Sequence, residues 1–582
     1  MKKILYIAIA IIGACAFTAC SEDLLEIPQK GVVAYDTFYD GTPENAAAAA
    51  VSIYQSVGQM YTTGAGFGIP GVGWCISNTM WVLTNAPSDD IYYGSGDRGD
   101  HVYGLEINEY RPSFGATSDV IGQQYYIAYQ VIRNCNLLLE NWEESSDATI
   151  KQARAEARLF RALAHFHLAT YWGDVILAET TMNGTERPEV TPQQEVFKWC
   201  IDELTACAND LPSKSGLNDK ALAIRGTKEF ALALKGKIQV FAKDWNGAKQ
   251  SLEAVMNSGK YALVPGEIMS ELLQGACDAC EEKLLDLNYL DFPGVRLTGK
   301  NHGQNNQANM WRSGNGGFWG KCLPTHIIQA EGWGGGGNPS KSFVEAIMSH
   351  EPNSLRRKAW IRSYEELITD FEWNGHEPDS DAPLTAEERM MSPEIGIQPG
   401  YRYFGSVGYF RMKLSPRRAD LNENTDATTH ENQNVMRYAE VLLLYAEACA
   451  QLGETGGKGL DALNQVATRA GAPTYSTLNM DNVKQEKRFE MFMERCRFAD
   501  LVRWGDAATV LKDQGKEVPS FYDEFWGDDG LPTGKPHHAV VDYSNAYYNT
   551  EYGFKAGKNE RMPFPRNTVD LNENLNQNPG WN

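Results

Sequence analysis

Apolar positions recur at helical spacing over most of the chain. Thr42 can cap and Pro43 suits a first turn, and the Ala-rich run after Glu44 favours helix. Val120, Ile127, Val131 and Leu138 predict a helix from Ser118 to Trp142. Ala153, Ala157, Phe160, Ala164 and Leu168 form one stripe and predict a longer helix from Asp147 to Trp172. Thr191-Pro192 predicts the cap of another helix running to about Asn209. Thr227 to Lys243 and Asn246 to Ser258 read as a helix pair around Asp244-Trp245. Val435 to Leu452 and Leu460 to Ala470 read as a second pair around a Gly-rich turn. Such short-loop pairs are the unit of a tetratricopeptide solenoid. Small residues at Ala231, Ala446 and Ala450 suit close helix contact. The expected fold class is mainly α, with tetratricopeptide-like helix pairs as a scaffold; a non-repeating helical bundle is the alternative.

The helical period breaks between Tyr261 and Asn434, which predicts a long, irregular, loop-rich middle region. Gly294 to Gly337 holds twelve glycines, four of them consecutive at the end. The same stretch carries Trp311, Phe318, Trp319 and Trp333. Disordered segments seldom hold so many aromatics, so an ordered, function-bearing loop is expected.

The first residues change the picture of where the protein works. Lys2 and Lys3 precede an apolar run from Ile4 to Ile12, and small residues follow. That is a secretory signal, too short and wrongly flanked for a membrane span. It ends Phe17-Thr18-Ala19-Cys20, which resembles a bacterial lipobox with Phe17 in place of the usual Leu. Residues 1–19 are therefore expected to be a lipoprotein signal peptide and 20–30 a lipidated tether starting at Cys20. Residues 31–582 are expected to form one α-helical domain with the irregular insertion at about 261–434. Membrane attachment is expected through the lipid anchor only. Ser21-Glu22-Asp23 resembles the surface-export signal of Bacteroidetes lipoproteins, and is otherwise a solvated tether.

Composition excludes some functions. Fifty-three Lys and Arg face 75 Asp and Glu, for a net charge of −22. Nucleic-acid binding needs a basic surface, so no nucleic-acid partner is expected. Nine cysteines remain once Cys15 and Cys20 are set aside, an odd number at irregular spacing. That is no disulfide framework. Cys135, Cys200, Cys207, Cys449 and Cys496 fall at helical apolar positions and read as buried small hydrophobes. Cys277-x-x-Cys280 is the one close pair; a zinc site would want a second, and a local disulfide stays open.

Catalytic signatures are scarce. His-Glu-x-x-His and Gly-x-Ser-x-Gly are absent. Gly66 to Gly71 fits G-x-G-x-x-G by letters, yet it follows no strand and Pro70 suits no helix start. Gly294 to Lys300 fits a phosphate loop, but Asn301 stands where Ser or Thr should bind magnesium. His165 and His167 lie on a helix at i and i+2, which point to different faces. No catalytic residue, cofactor or metal is assigned. Acidic residues between Cys277 and Asp291 could ligate calcium, though not at the spacing of a known loop.

Five segments together resemble the SusD/RagB family of outer-membrane nutrient-binding lipoproteins. They are Arg154 to Asp174, ending Tyr-Trp-Gly-Asp, and Met436-Arg-Tyr-Ala-Glu-Val-Leu-Leu-Leu-Tyr-Ala-Glu-Ala448. Leu463 to Gly471 follows, then Glu486-Lys-Arg-Phe-Glu490 through Asp500-Leu-Val-Arg-Trp504. Last come Arg561-Met-Pro-Phe-Pro565 and Gln577-Asn-Pro-Gly-Trp581. The resemblance spans essentially the whole mature chain. Phe564 where Ile is common, and Lys487 where Arg is common, leave it intact. It implies a surface lipoprotein of the outer membrane that caps a SusC-like TonB-dependent transporter and delivers glycans, sometimes peptides, without chemistry. Arg437, Glu440, Glu447, Arg488, Glu490 and Arg503 in these motifs read as structural ion pairs, not a catalytic carboxylate pair.

A sugar ring offers an apolar face for stacking and hydroxyls for hydrogen bonds, so a glycan site needs aromatics beside amides or charges. Two clusters qualify. The first runs from Trp74 to Tyr93, with Trp81, Asn85 and then Arg98; Asp89-Asp90 within it reads as a turn cap. The second holds Asn309, Trp311, Arg312, Trp319 and Trp333. Core packing is the alternative for each tryptophan. The leading reading is thus a cell-surface glycan binder that captures oligosaccharides or polysaccharides by aromatic stacking. The alternatives are a peptide or glycopeptide binder of the same family, a secreted glycoside hydrolase with a carboxylate pair across a cleft, and a purely structural helical scaffold.

Overall fold

The computed structural model describes residues 38–62, 79–93, 102–288, 337–370, 384–393, 395–397, 399–414, 432–544 and 549–581. The elements open with α1 (Pro43–Thr62), α2 (Thr79–Asn85), β1 (Ile91–Tyr92) and α3 (Val102–Asn108). Long helices follow: α4 (Asp119–Asn141), α5 (Ala148–Trp172), α6 (Gln193–Cys207), α7 (Lys228–Phe241) and α8 (Trp245–Asn257). The middle holds β2 (Lys283–Leu287), β3 (Asn338–Pro339), α9 (Lys341–His350), α10 (Leu355–Trp360), β4 (Ile361–Ser363), α11 (Tyr364–Thr369) and α12 (Ala386–Met390). Next come β5 (Tyr403–Phe404), β6 (Tyr409–Arg411), β7 (Gln433–Arg437), α13 (Tyr438–Gln451), α14 (Lys458–Arg469), α15 (Met480–Glu490) and α16 (Arg497–Trp504). The chain closes with α17 (Ala507–Val510), β8 (Ser520–Asp523), β9 (Ala539–Asp542) and α18 (Arg566–Leu571).

Helices α4 to α8 pack each on the next; α8 packs on α13, and α13 on α14. That is the expected run of helix pairs, with an irregular, strand-bearing region inserted between α8 and α13. Local chemistry explains the helix ends. Asp147 accepts from the backbone N–H groups of Thr149 and Ile150, at 2.8 and 3.1 Å, and starts α5. Gly173 stops it at φ 83°, where any side chain would collide with Arg561. Thr227 caps α7 and Asp244 caps α8 through side-chain oxygens. Gly236 lets α7 approach α8 closely, since a Cβ there would lie 2.6 Å from Leu252.

Two helix starts differ from expectation. The N-terminus of α6 takes its cap from Asp174, which accepts from Gln193 N at 3.0 Å, and Thr191 instead bridges Val175. The predicted helix from Val435 begins as β7, because Gln433–Arg437 pairs antiparallel with β2. A strand partner about 150 residues upstream overrides a helical period. A second, smaller apolar core forms around Tyr364, Ile368, Tyr403, Phe410 and Phe521, where β4–β6 and β5–β8–β9 meet α11.

The family motifs explain one another in space. Trp172 Nε1 donates to Pro563 O at 2.9 Å, and Asn578 Nδ2 donates to Trp172 O at 2.8 Å and Met562 O at 2.7 Å. The aromatic-Gly-Asp turn is therefore the seat of the C-terminal segment. No helix among the described residues is long and apolar enough to cross a membrane.

Candidate ligand-binding site

The β1–β3 pairing brings two distant segments of the chain together. Ile91 faces Pro339 and Tyr92 faces Asn338 in an antiparallel ladder. Tyr93 and Gly337, the next residue on each strand, border the undescribed stretches 94–101 and 289–336. Tyr92 and Asn338, each adjacent to one of those border residues, are thus held one strand spacing apart, about 5 Å.

Charged groups clamp this seam to the helical scaffold. Arg497 grips Asp89 with two hydrogen bonds, Nε at 2.8 Å and Nη2 at 2.9 Å. Arg488 Nε reaches Asp90 at 2.7 Å, and its Nη2 reaches Asp89 at 2.9 Å and Ser342 Oγ at 2.6 Å. Ser340 N donates to Asp90 O at 2.9 Å and Ser340 Oγ to Asp89 O at 2.5 Å. Burial opposes the charge on Asp89, but Arg497 and Arg488 overcome it and hold its carboxyl well below the usual range. Burial pushes Asp90 upward against Arg488, and repulsion from the Asp89 charge beside it adds to the rise. Asp89-Asp90 lies in a turn, as expected, and is also an ion-pair anchor held by two arginines about 400 residues later in the chain.

Two of the eight candidate ligand residues lie among the described ones. Trp81 is 2 % exposed, on α2, with the Arg411 guanidinium 5.3 Å from its ring centroid and Tyr93 at 6.3 Å. Asn85, 3 % exposed, donates to Trp81 O at 3.2 Å and accepts from Arg495 N at 3.0 Å. Trp81 packs against the ends of the seam at Tyr93 and Gly337. A Cβ at Gly337 would lie 2.5 Å from the Trp81 ring and 2.8 Å from Met493. Gly337 and Arg411 pack on Trp81 and were not among the candidate residues of the sequence. The signal was faint: Gly337 is the last of its run. Arg98, Asn309, Trp311, Arg312, Trp319 and Trp333 lie outside the described residues.

A groove of about 460 Å³ between α9, α15 and α16 is lined by His350, Lys484, Arg488, Phe489 and Arg497. His350 is sandwiched there between Tyr475 and Phe489, at 5.8 and 5.7 Å. A buried cavity of about 70 Å³ lined by His167, Thr170 and Glu440 is too small for a sugar ring.

The motif charges pair as expected. Arg437 contacts Glu282, Glu490 and Glu494; Arg503 contacts Glu447 and Asp500; Lys237 contacts Glu440. Burial resists ionisation of Glu490, yet Arg469, Arg437 and Arg356 hold it well below the carboxylate range. Glu494 is held at about 2 against burial by Arg437 and Lys413. These carboxylates are neutralised in place, unlike a general acid with a raised pKa. Burial pushes His165 and His167 down to about 3, so both rings are neutral. His165 bridges Arg161 O at 3.0 Å and Ala178 N at 3.1 Å, a structural role. Asp278, Glu282 and Asp286, weighed as calcium ligands, are engaged by Asn432 N, by Arg437 and Arg469, and by Ala279 N.

Comparison with known proteins fits this architecture. Residues 292–581 match the SusD family model, and residues 101–239 match a second model described as starch-binding associating with outer membrane. A SusD-like protein of Bacteroides ovatus is 25 % identical over 520 residues, 86 % of this chain and 82 % of its own. SusD-like protein P2 of Formosa agariphila is 21 % identical over 544 residues, 90 % of this chain and 95 % of its own. A solved laminarin binding SusD-like protein superposes with a TM-score of 0.67 at 22 % identity, covering 92 % of this chain and 99 % of that one. Surface glycan-binding protein A from Bacteroides thetaiotaomicron, solved with laminarihexaose, gives 0.66 at 17 % identity, with 92 % and 99 % covered. The helix-pair scaffold with its strand-bearing insertion is the SusD-type fold. The chain belongs to the SusD/RagB family. That family is non-catalytic, and its members pair with SusC-type transporters.

Proposed function

We propose that the protein is a cell-surface glycan-binding lipoprotein, tethered through Cys20, that captures oligosaccharides or polysaccharides and passes them to a SusC-like TonB-dependent transporter. The observation that carries this reading is the β1–β3 seam, which brings together two distant segments, one beside each aromatic cluster in sequence. Trp311, Trp319 and Trp333 supply stacking faces, and Asn309, Arg312 and Arg98 supply hydrogen bonds to hydroxyls. Trp81 braces the seam at Tyr93 and Gly337. The laminarin-binding relative among solved structures makes a β-glucan the first ligand to try.

The test is calorimetry of the mature domain lacking Cys20 against a polysaccharide panel that includes laminarin, with released reducing ends measured in the same samples. Saturable binding without hydrolysis supports the reading. Hydrolysis refutes it in favour of a glycosidase, and binding of peptides alone moves the protein to the peptide-capturing branch.

A further inference from the structure

The sequence Cys277-Asp-Ala-Cys280 folds into a tight turn just before β2. Cys280 N donates to Cys277 O at 3.3 Å. Asp278 has φ −60° and ψ 131°, and Ala279 has φ 55°. Those are the angles of a type II turn, which brings its first and last Cα within about 7 Å. A disulfide spans Cα separations of about 4.4–6.8 Å. Ala279 occupies the position that ordinarily takes Gly or Asn, because positive φ strains a residue with a Cβ. Something beyond local preference must hold this turn.

The surroundings supply part of the hold. Asp278 accepts from Asn432 N with both carboxylate oxygens, at 3.0 Å each. Ala279 N donates to Asp286 Oδ2 at 3.0 Å. Both contacts tie the turn to the β2–β7 ladder, where Arg437 begins its buried ion pairs. Cys277 and Cys280, 4 % and 8 % exposed, are thiols in the structure. The thiol hydrogen bond between them lowers Cys280 and raises Cys277 relative to an ordinary cysteine.

We propose that Cys277 and Cys280 form a local disulfide in the mature protein, a redox clasp that locks the turn at the base of the β2–β7 ladder. The proposal rests on the outer-membrane placement, which puts the chain outside the reducing cytosol. The oxidant is a low-molecular-weight disulfide or a disulfide-bearing protein of the cell envelope. The Cys280 thiolate attacks one sulfur of that disulfide and expels a thiol. The Cys277 thiolate then attacks Cys280 Sγ and expels the second thiol. The protein loses two thiol protons and two electrons, and the oxidant gains them as two thiols.

The clasp is tested on the mature domain lacking Cys20, equilibrated in glutathione buffers from reducing to oxidising. Samples are acid-quenched, alkylated in denaturant and digested with trypsin. One peptide, Tyr261 to Lys283, carries both cysteines. In oxidising buffer it should appear unalkylated and two hydrogens lighter, while Cys135, Cys200, Cys207, Cys449 and Cys496 take the label. Hydrogen exchange at Asn432 should be at least about threefold slower in the oxidised protein, with no redox dependence in the Cys277→Ser/Cys280→Ser variant. Labelling of both cysteines in oxidising buffer overturns the proposal, as does a bridge from either to any other cysteine. Equal Asn432 exchange in both redox states overturns the clasp. Neither readout uses a glycan, so failure of the glycan reading leaves this result intact.

Discussion

Replacing Arg437 with Met tests the charged seam beneath α13. Arg437 is fully buried and reaches Glu282 at 2.6 Å, Glu490 at 2.6 Å and Glu494 at 2.6 Å, with Glu490 O at 2.9 Å. Methionine keeps much of the volume but removes one cation from three buried carboxylates. Removing one partner of a buried ion pair costs ~3–5 kcal/mol. Arg469, Arg356 and Lys413 still face the cluster, which places the expected loss near the lower end, about 3 kcal/mol at pH 7. The loss should depend on pH. Glu494 sits at about 2 when folded, against 4.5 for a free glutamate, so its pairing stabilises above pH ~4.5 and fades as pH falls towards 2. Without Arg437 the less compensated carboxylates take up protons more readily, and the penalty shrinks from pH 7 to about pH 4. Urea unfolding followed by tryptophan fluorescence at both pH values reads this directly. A penalty under about 1 kcal/mol at pH 7, or one that is equal at the two pH values, would refute the argument.

Gly337→Ala should disturb the seam at φ 80°, with its new methyl against Trp81 and Met493, costing about 1–3 kcal/mol and weakening glycan binding; thermal unfolding and calorimetry check both. Trp311→Ala should weaken binding of a glycan ligand by about 1–3 kcal/mol, or roughly tenfold or more, with stability unchanged within about 0.5 kcal/mol. Burial lowers Lys413 to about 8 from 10.5, with Glu494 opposing, so the unfolded chain binds more protons between those values. Stability should therefore rise with pH across that window relative to Lys413→Met, as urea midpoints at pH 8 and pH 10 would show. Asp89→Asn should free Arg497 from its bidentate partner and cost about 2–4 kcal/mol, with the β1–β3 amides exchanging faster.

The helices were legible wherever their causes are local. Asp147, the Ala stripe of α5 and Gly173 are a cap, a face and a stop within one segment, and the structure uses each for that purpose. Thr227 on α7 and Asp244 on α8 cap the two helices of the pair read around Asp244-Trp245. The family motifs were recognisable as strings, but their reason was not. Trp172, Pro563 and Asn578 meet only because the chain returns after almost 400 residues.

Tertiary structure decided what depends on distant partners. Gln433–Arg437 carries a helical pattern yet forms a strand, because β2 offers backbone partners that no window around residue 435 contains. Asp89 and Asp90 are turn residues whose partners Arg488 and Arg497 arrive from the other end of the sequence. Trp81 looks like a stacking platform until Arg411 and Gly337 close over it. Charge pairing, strand pairing and burial are properties of neighbours in space. The sequence by itself determined the helical scaffold and the address of the protein. Only the folded chain decided which distant segments meet at the seam, because that rests on one two-residue ladder between strands 247 positions apart, Ile91 with Pro339 and Tyr92 with Asn338.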